Sequence, residues 1–515
     1  AARRRRERED RESREAAARV YADSPGGPVR AEARLLQGRA LLALSKAPEA
    51  FQELRAVLGE HPAFGDDPRF ALVYGVALFE VGNSSDSLRY LEKLDEPFAH
   101  LYAARALVKL GRPLVAVERL RRIETGDQAN PLVELARYLK AEAFYVSKDY
   151  PTAMSSFEDF LRLAPRSSYR PAAMFKIGLC QFERQDYLAA RGSFQSVLQM
   201  AAKSEFAEPS LFMIGEAFLR EGRLKEASLA YADMAASFPG ALGGTARFKQ
   251  GWTHQRQSEL PAAEFALRTL ISEQPGHRLA PSAAVLLGNV FISQQRYGDA
   301  AKTYQQALDL LPSAPLTEER RTELREVALA CLSRANLLAS DFSNLVSGYQ
   351  YLMKHAKPTF NPWRAATLLY IAEGYYRQRL YDQALGIYKE VLATFPAAPE
   401  SLLAVDGTAW SYFSKGEYAK AFEAWQRLPA LSRRPPVAPA KTLLPDGKVS
   451  ADILIAAEFE AGTARFNQKK YMEALESYEA FEKAHSSHTH AVEAALQAGW
   501  CYYRLEYYAQ ALKTW

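Results

Sequence analysis

The chain has 515 residues, 48% of them hydrophobic, and its 65 basic and 60 acidic side chains leave a formal charge of +5. So even a balance excludes the focused positive field that nucleic-acid capture needs. No apolar run approaches the ~20 residues of a membrane span; the best, residues 283–292, is interrupted by Gly288 and Asn289.

Residues 1–30 begin "AARRRRERED RESREAAARV", where arginines and acids interleave and large apolar side chains are scarce. Opposite charges three and four apart favour a solvated helix or arm. The interleaved acids nearly cancel the charge that an Arg3–Arg6 tether to an anionic surface would need. From residue 31 a fixed spacing takes over: a small residue, an alanine twelve positions later, and a large apolar residue four beyond. Over 31–312 it reads Gly38–Ala50–Leu54, Gly75–Ser87–Leu91, Ala104–Ala116–Leu120, Ala141–Ala153–Phe157, Gly178–Ala190–Phe194, Gly215–Ala227–Tyr231, Gly251–Ala263–Leu267 and Gly288–Ala300–Tyr304. Residues 313–358 hold a lengthened, degenerate unit around Phe342–Leu345–Tyr349. There Thr317 is a good helix N-cap, with Glu318 and Glu319 in the favourable first turn. Regular units return over 359–428 as Ala372–Ala384–Tyr388 and Ala409–Ala421–Trp425. Residues 429–450 are rich in proline and without periodicity, which predicts a loop that serves as hinge or docking segment. Gly462–Ala474–Tyr478 and Gly499–Ala511–Trp515 complete 451–515, the last unit cut within its second helix. With Ala at position 1 as well, both ends look cut, and the lack of a leader peptide carries no information.

This spacing has a steric reading. A fixed period in the mid-thirties signals stacked helical hairpins. The Gly or Ala midway along a first helix leaves room for the second helix to cross, and the later Ala is the matching flat spot. Prolines at 165, 239, 312 and 396 then stop each second helix, because proline cannot continue it. A bulky residue three before each alanine (Tyr150, Tyr187, Leu224, Tyr297, Tyr381, Tyr418, Tyr471, Tyr508) plugs the hairpin tip. The glycine-rich stretch Pro239–Gly244 reads as a turn between hairpins, with Thr245 capping the helix that follows.

Small residue, tyrosine, alanine, aromatic and proline in that order resemble the tetratricopeptide repeat, over about thirteen units from residue 31 to 515. The resemblance implies an all-α, right-handed superhelical solenoid of antiparallel helix pairs, whose first helices line a concave groove. The units of 36–37 residues (Gly178 to Gly215 is 37) exceed the usual 34. They resemble those of bacterial envelope proteins such as the Tol–Pal-associated periplasmic protein and the lipoprotein of the barrel-assembly machine. That implies a periplasmic or outer-membrane-associated location, with the cytoplasm as the alternative.

Chemistry is hard to find in this sequence. There is no phosphate-binding G-x-x-x-x-G-K-[ST], no G-x-S-x-G and no H-E-x-x-H. No catalytic residue, metal site or cofactor is therefore expected. Cys180, Cys331 and Cys501 lie far apart, and two of them follow the small glycine of their unit by two, a packing position. His485, His488 and His490 are close enough to bind zinc, but they sit between helices with no Cys or acid alongside, and a surface loop is the better reading.

Function is more legible in the first helices. Three before the small residue stand Tyr138, Phe175, Phe212 and Phe248. Four after it stand Tyr145, Phe182, Tyr376, Phe413, Phe466 and Tyr503, and immediately after it Trp252, Trp410 and Trp500. The first two series are seven apart, on one helix face. If that face is the groove, it suits an apolar helix or extended segment of another protein. The alternative is that hairpin packing buries these residues as core, with some stretch left exposed. Two functional classes follow. One is a non-enzymatic scaffold or adaptor within a bacterial multi-protein assembly, with protein partners, no nucleic acid and peripheral membrane association at most. The other is a regulatory or substrate-recruiting arm of an enzyme whose catalytic domain lies outside this chain.

Overall fold

The computed structural model describes residues 28–126, 130–355, 362–432 and 448–515, and among them every regular element is helical. The charged arm and most of the Pro-rich insert lie outside the described residues. Two compact units divide the chain, residues 1–234 and 235–515. The first pairs α1 (Pro28–Ala43) with α2 (Ala47–Glu60), α3 (Pro68–Glu80) with α4 (Ser84–Leu91), and α5 (Pro97–Lys109) with α6 (Pro113–Thr125). It continues with α7 (Leu132–Val146) and α8 (Tyr150–Leu163), α9 (Arg170–Glu183) and α10 (Tyr187–Ala201), and α11 (Ala207–Arg220) and most of α12 (Leu224–Ser237), which ends just past the division at residue 234. The second pairs α13 (Ala241–Arg256) with α14 (Leu260–Glu273), α15 (Ala280–Ser293) with α16 (Tyr297–Leu310), and α17 (Glu318–Leu338) with α18 (Phe342–His355). Then come α19 (Pro362–Arg377) with α20 (Tyr381–Thr394), α21 (Glu400–Ser414) with α22 (Tyr418–Gln426) and the short α23 (Leu428–Ser432), α24 (Lys448–Asn467) with α25 (Tyr471–Ala484), and α26 (Ala491–Arg504) with α27 (Tyr508–Thr514). Within each unit the second helices pack on their own first helix and on the first helix of the next hairpin, as α2 does on α1 and α3 and α16 on α15 and α17. This is the all-α solenoid of stacked hairpins.

Where the small residue is glycine, it lies directly against the large residue sixteen later. A Cβ on Gly178 would lie 2.6 Å from the ring of Phe194, and one on Gly215 2.6 Å from that of Tyr231. Phe194 and Tyr231 are fully buried, and each such side chain contributes roughly 1.5–3 kcal/mol of burial. The alanines twelve after the small residue are likewise sealed. Where serine replaces alanine at position 87, its hydroxyl donates to the Gly75 carbonyl at 2.6 Å, so the buried polar atom is satisfied.

Between the two helices of each hairpin one residue adopts the left-handed conformation. Four are glycines (82, 111, 222, 416), and nine are not: Ser45, Lys148, Gln185, Ser258, Gln295, Ser340, Arg379, Lys469 and Glu506. Each stands five before the flat-spot position, and the next residue caps the second helix in several hairpins, as when Asp149 accepts from Thr152 N–H and Asp186 from Ala189 N–H. A side chain in this region costs about 1–2 kcal/mol that glycine avoids. Gln185→Gly and Gln295→Gly, at φ 64° and 60°, are therefore each expected to stabilise their hairpin by about 1 kcal/mol despite glycine's extra chain entropy. Guanidinium unfolding of single and double variants checks this; unchanged or lowered midpoints would count against it.

Thr317 caps α17 as expected, accepting from Arg320 N–H at 3.3 Å, and the helix runs 21 residues. In its partner α18 the flat spot is Leu345, 1% exposed. The larger side chain presses on α19, where Gly374 makes room for its Cδ2. As a result α19 packs chiefly on α17, and α18 stands off to the side. One expectation is corrected. Residues 241–245 are not an inter-hairpin turn but the first turns of α13, and Thr245 is no cap, because its hydroxyl donates to the Ala241 carbonyl inside the helix. Glycine is needed at 244 because the Gln274 amide and His277 ring occupy the space of a side chain. They reach over to hydrogen-bond the Pro239 and Ala241 carbonyls at 2.7 and 2.8 Å.

Candidate functional site

Each aromatic row has its own packing partner. In the row three before the small residue, Phe175 leans on Phe194 (ring centroids 5.5 Å apart) and Phe212 on Tyr231 (5.9 Å), across the interior of their own hairpins. Tyr138 is packed between Phe157, Phe160 and Tyr169 and is only 8% exposed. Phe248 is half-buried against the core that includes Leu267 and Leu270. In the row four after the small residue, each ring meets the tyrosine that opens the second helix, five residues on. The pairs are Tyr145–Tyr150, Phe182–Tyr187, Tyr376–Tyr381, Phe413–Tyr418, Phe466–Tyr471 and Tyr503–Tyr508, with centroids 5.1–5.8 Å apart. The rings therefore clasp the hairpin tips while one face stays partly open. Trp252 and Trp410 are half-buried, whereas Trp500 and Tyr503 are 42% and 45% exposed.

Some of these rings already receive cations. Arg256 lies 4.9 Å from the Trp252 centroid and Lys176 4.7 Å from that of Tyr145. This is the attraction of a positive charge to the negative ring face.

Carboxylates and hydroxyls stand between the aromatic rows. Tyr231 donates to Glu216 at 2.5 Å, Tyr304 to Asn289 at 2.6 Å and Tyr478 to Thr463 at 3.1 Å, each reaching the residue just after the small position. Burial drives these phenols far above their usual range, so they are fixed as donors. Asp406 takes the place of an aromatic, three before Ala409, and accepts from the Trp425 indole at 2.9 Å. Burial pushes its carboxyl up to about 6, the indole bond pulls the other way, and Glu373 adds repulsion. Burial together with Glu493 and Asp406 pushes Glu460 up to about 7. Sequence reasoning missed these acids because it followed only the aromatics; the break in the row at Asp406 was the available signal.

The remaining chemistry-bearing groups are occupied in packing. Cys180, Cys331 and Cys501 are buried, and the loss of hydration pushes their thiols up to about 12, far from a reactive thiolate. His490 stacks on Phe459 with centroids 4.9 Å apart, and His485 pairs with Glu458 at 2.9 Å. Among the described residues no group of His, Cys, Asp and Glu is placed to hold a metal, and no helix is long and apolar enough to cross a membrane.

The hairpin stack and its ring-lined helices define a repeat protein that displays surface. Tetratricopeptide repeat models match residues 3–68, 101–168, 248–315, 371–435 and 459–515, and a second such model matches 172–204. The chain belongs to the tetratricopeptide repeat family. No curated protein matches it. Among solved structures it is similar to the C-terminal part of a TPR repeat-containing protein from Cytophaga hutchinsonii, with 14% identity, TM-score 0.39, 48% of this chain and 98% of that one. It is also similar to a tetratricopeptide repeat protein from Parabacteroides merdae, with 15% identity, TM-score 0.32, 58% of this chain and 98% of that one. Cut9–Hcn1, a hetero-tetramer of the APC/C, matches with 12% identity, TM-score 0.33, 91% of this chain and 96% of that one. Solenoids of this kind present extended surfaces to other proteins, and the architecture is that of an interaction scaffold.

Proposed function

We propose that the chain is a non-enzymatic scaffold of a bacterial multi-protein assembly and that it holds partner segments against its first-helix face. The observation that carries this reading is the half-open row Tyr376, Trp410, Phe413 and Phe466 beside Glu373, Asp406 and Glu460. Phe175, Phe182, Phe212 and Phe248 extend the same role to other hairpins. A partner with apolar residues spaced by Lys or Arg matches this surface. Its apolar groups cover the rings, and its cations offset the burial, and the lesser repulsion between acids, that raise the carboxyls of Glu460 and Asp406. An envelope location accords with the 37-residue period and is checked by fractionating the native cell.

Affinity capture from that cell, followed by mass spectrometry, identifies the partner. The triple variant Tyr376→Ser, Phe413→Ser, Phe466→Ser is then expected to weaken its binding at least tenfold, at unchanged helix content, since losing about 1.4 kcal/mol already gives that factor. A partner that binds the triple variant with undiminished affinity would sink this reading.

A further inference from the structure

Two hairpins of the second unit meet where α24 lies on α21, α22 and α23. The bed beneath α24 is short. The second helices α20 and α25 run 14 residues, whereas α22 stops after 9 and is followed by the 5-residue α23. An apolar core closes the junction, with Trp425 and Leu428 on one side and Ala457 and Ala464 on the other.

Beside this core, carboxyls converge from successive first helices. Asp406 comes from α21, Glu460 from α24 and Glu493 from the first turn of α26. The first two are half-buried and the third is exposed. Asp406 faces Glu373 of α19, the Tyr388 phenol of α20 and the Trp425 indole of α22. Glu460 faces Asp406, Glu493 and the Tyr478 phenol of α25. The short α23 brings no titratable group.

The cations of these elements face other partners. Arg377 donates to Glu373 at 2.9 Å, and Lys415 and Lys420 donate to Asp382 and Glu417, both at 2.6 Å. Arg465 donates to Ser477 at 3.1 Å while lying over the Phe422 ring, and His490 donates to Glu493 at 3.3 Å. Among the described residues no basic group acts on Asp406 or Glu460. Ionised, these two carboxylates repel across the junction with little water and no counter-charge. Protonated, they are neutral, and each gains a donor.

We propose that Asp406 and Glu460 make the junction between hairpins α21–α22 and α24–α25 a pH-sensitive joint, closed while the two carboxyls hold their protons and loosened when they release them. Burial, then Glu493 and Asp406, lift Glu460 to about 7, and burial lifts Asp406 to about 6 against the pull of the indole bond. Carboxyls raised in this way contribute stability that is complete below their unfolded values near 4 and is lost as pH climbs through the folded ones. The joint is therefore tighter at pH 5 than at pH 8. It needs no partner and stands apart from the docking role of the neighbouring rings.

Hydrogen exchange of the full chain at pH 5 and pH 8, corrected for the intrinsic rate at each pH, tests this. Protection in α22 and α24 should fall at least about tenfold from pH 5 to pH 8, a figure already reduced for screening at a half-open junction. Protection in α9 and α10 should change less than about threefold. Glu460→Gln, similar in shape, should remove most of the fall. Glu493→Lys, at an exposed position where folding is not at risk, places a cation beside Glu460 and should shrink the fall at least about threefold. Glu400, sealed at the start of α21 and also raised by burial, would loosen α21 with pH on its own account. Glu460→Gln separates the two, because it leaves Glu400 in place. Equal protection of α22 and α24 at the two pH values, or a fall that both variants leave intact, overturns the joint.

Discussion

Replacing Gly288 with valine should cost about 3 kcal/mol and loosen one hairpin instead of the whole chain. Gly288 lies in the middle of α15, where an added Cβ would fall 2.6 Å from Cζ of Tyr304 and against two further ring atoms. The ring has no way to retreat. It is 1% exposed, and its hydroxyl is tied to Asn289 at 2.6 Å. Room for a larger residue exists elsewhere in the array, which sharpens the expectation. Ala372 holds the small position opposite Tyr388, and there the ring is received by the next first helix, where a Cβ on Gly407 would lie 2.5 Å from the Tyr388 hydroxyl. Ala372→Gly should therefore change stability little, apart from glycine's cost of about 1 kcal/mol in a helix. Hydrogen exchange read peptide by peptide checks both claims. Gly288→Val should speed exchange in α15 and α16 and leave distant hairpins of the second unit near their native rates. Uniform acceleration, or none, would show that the glycine is not the point of closest approach.

The same comparison shows which parts of the fold could be read from sequence. Gly178, Ala190 and Phe194 announce themselves because their contact lies within one hairpin, at fixed separations of twelve and sixteen. The clasp of Phe182 on Tyr187 is similarly local. The left-handed residue at each tip was not legible. Its conformation is imposed by the reversal between two packed helices, so Gln, Lys, Arg, Glu and Ser serve there beside glycine. Of Pro239–Gly244, only Pro239 and Gly240 form the expected break between hairpins, and the rest begins α13. Proline and glycine usually punctuate a chain, but Gly244 is there to admit Gln274 and His277 from thirty residues away. The acids of the candidate surface were hidden in the same manner: Asp406 matters because Trp425 and Glu373 converge on it from other helices.

Trp425→Ala should cost about 4 kcal/mol at pH 7.5 and about 1 kcal/mol less at pH 5. The indole is 2% exposed and packs edge-on to Trp410 at 5.3 Å and beside Phe413 at 6.0 Å. The first part of the loss is the cavity. The second part is electrostatic. Asp406 loses its N–H donor but remains among the same apolar groups, so its carboxyl rises further above about 6. A carboxyl whose folded-state value is raised contributes stability that is complete below its unfolded value near 4 and is lost as pH climbs through the folded value. Raising that value in the variant widens the window of loss, so the deficit must be larger at pH 7.5 than at pH 5. Adding Asp406→Asn to the variant removes the titrating group and should make the deficit nearly equal at the two pH values. Guanidinium unfolding followed by circular dichroism at both pH values decides it; a deficit equal at pH 5 and 7.5 in the single variant would mean that Asp406 does not feel the indole. Because Trp410 and Phe413 rest on Trp425, the substitution should also release two rings of the proposed docking row. Partner binding should then fall at pH 5 as well, where the stability loss is smaller, and this separates loss of the surface from loss of the fold.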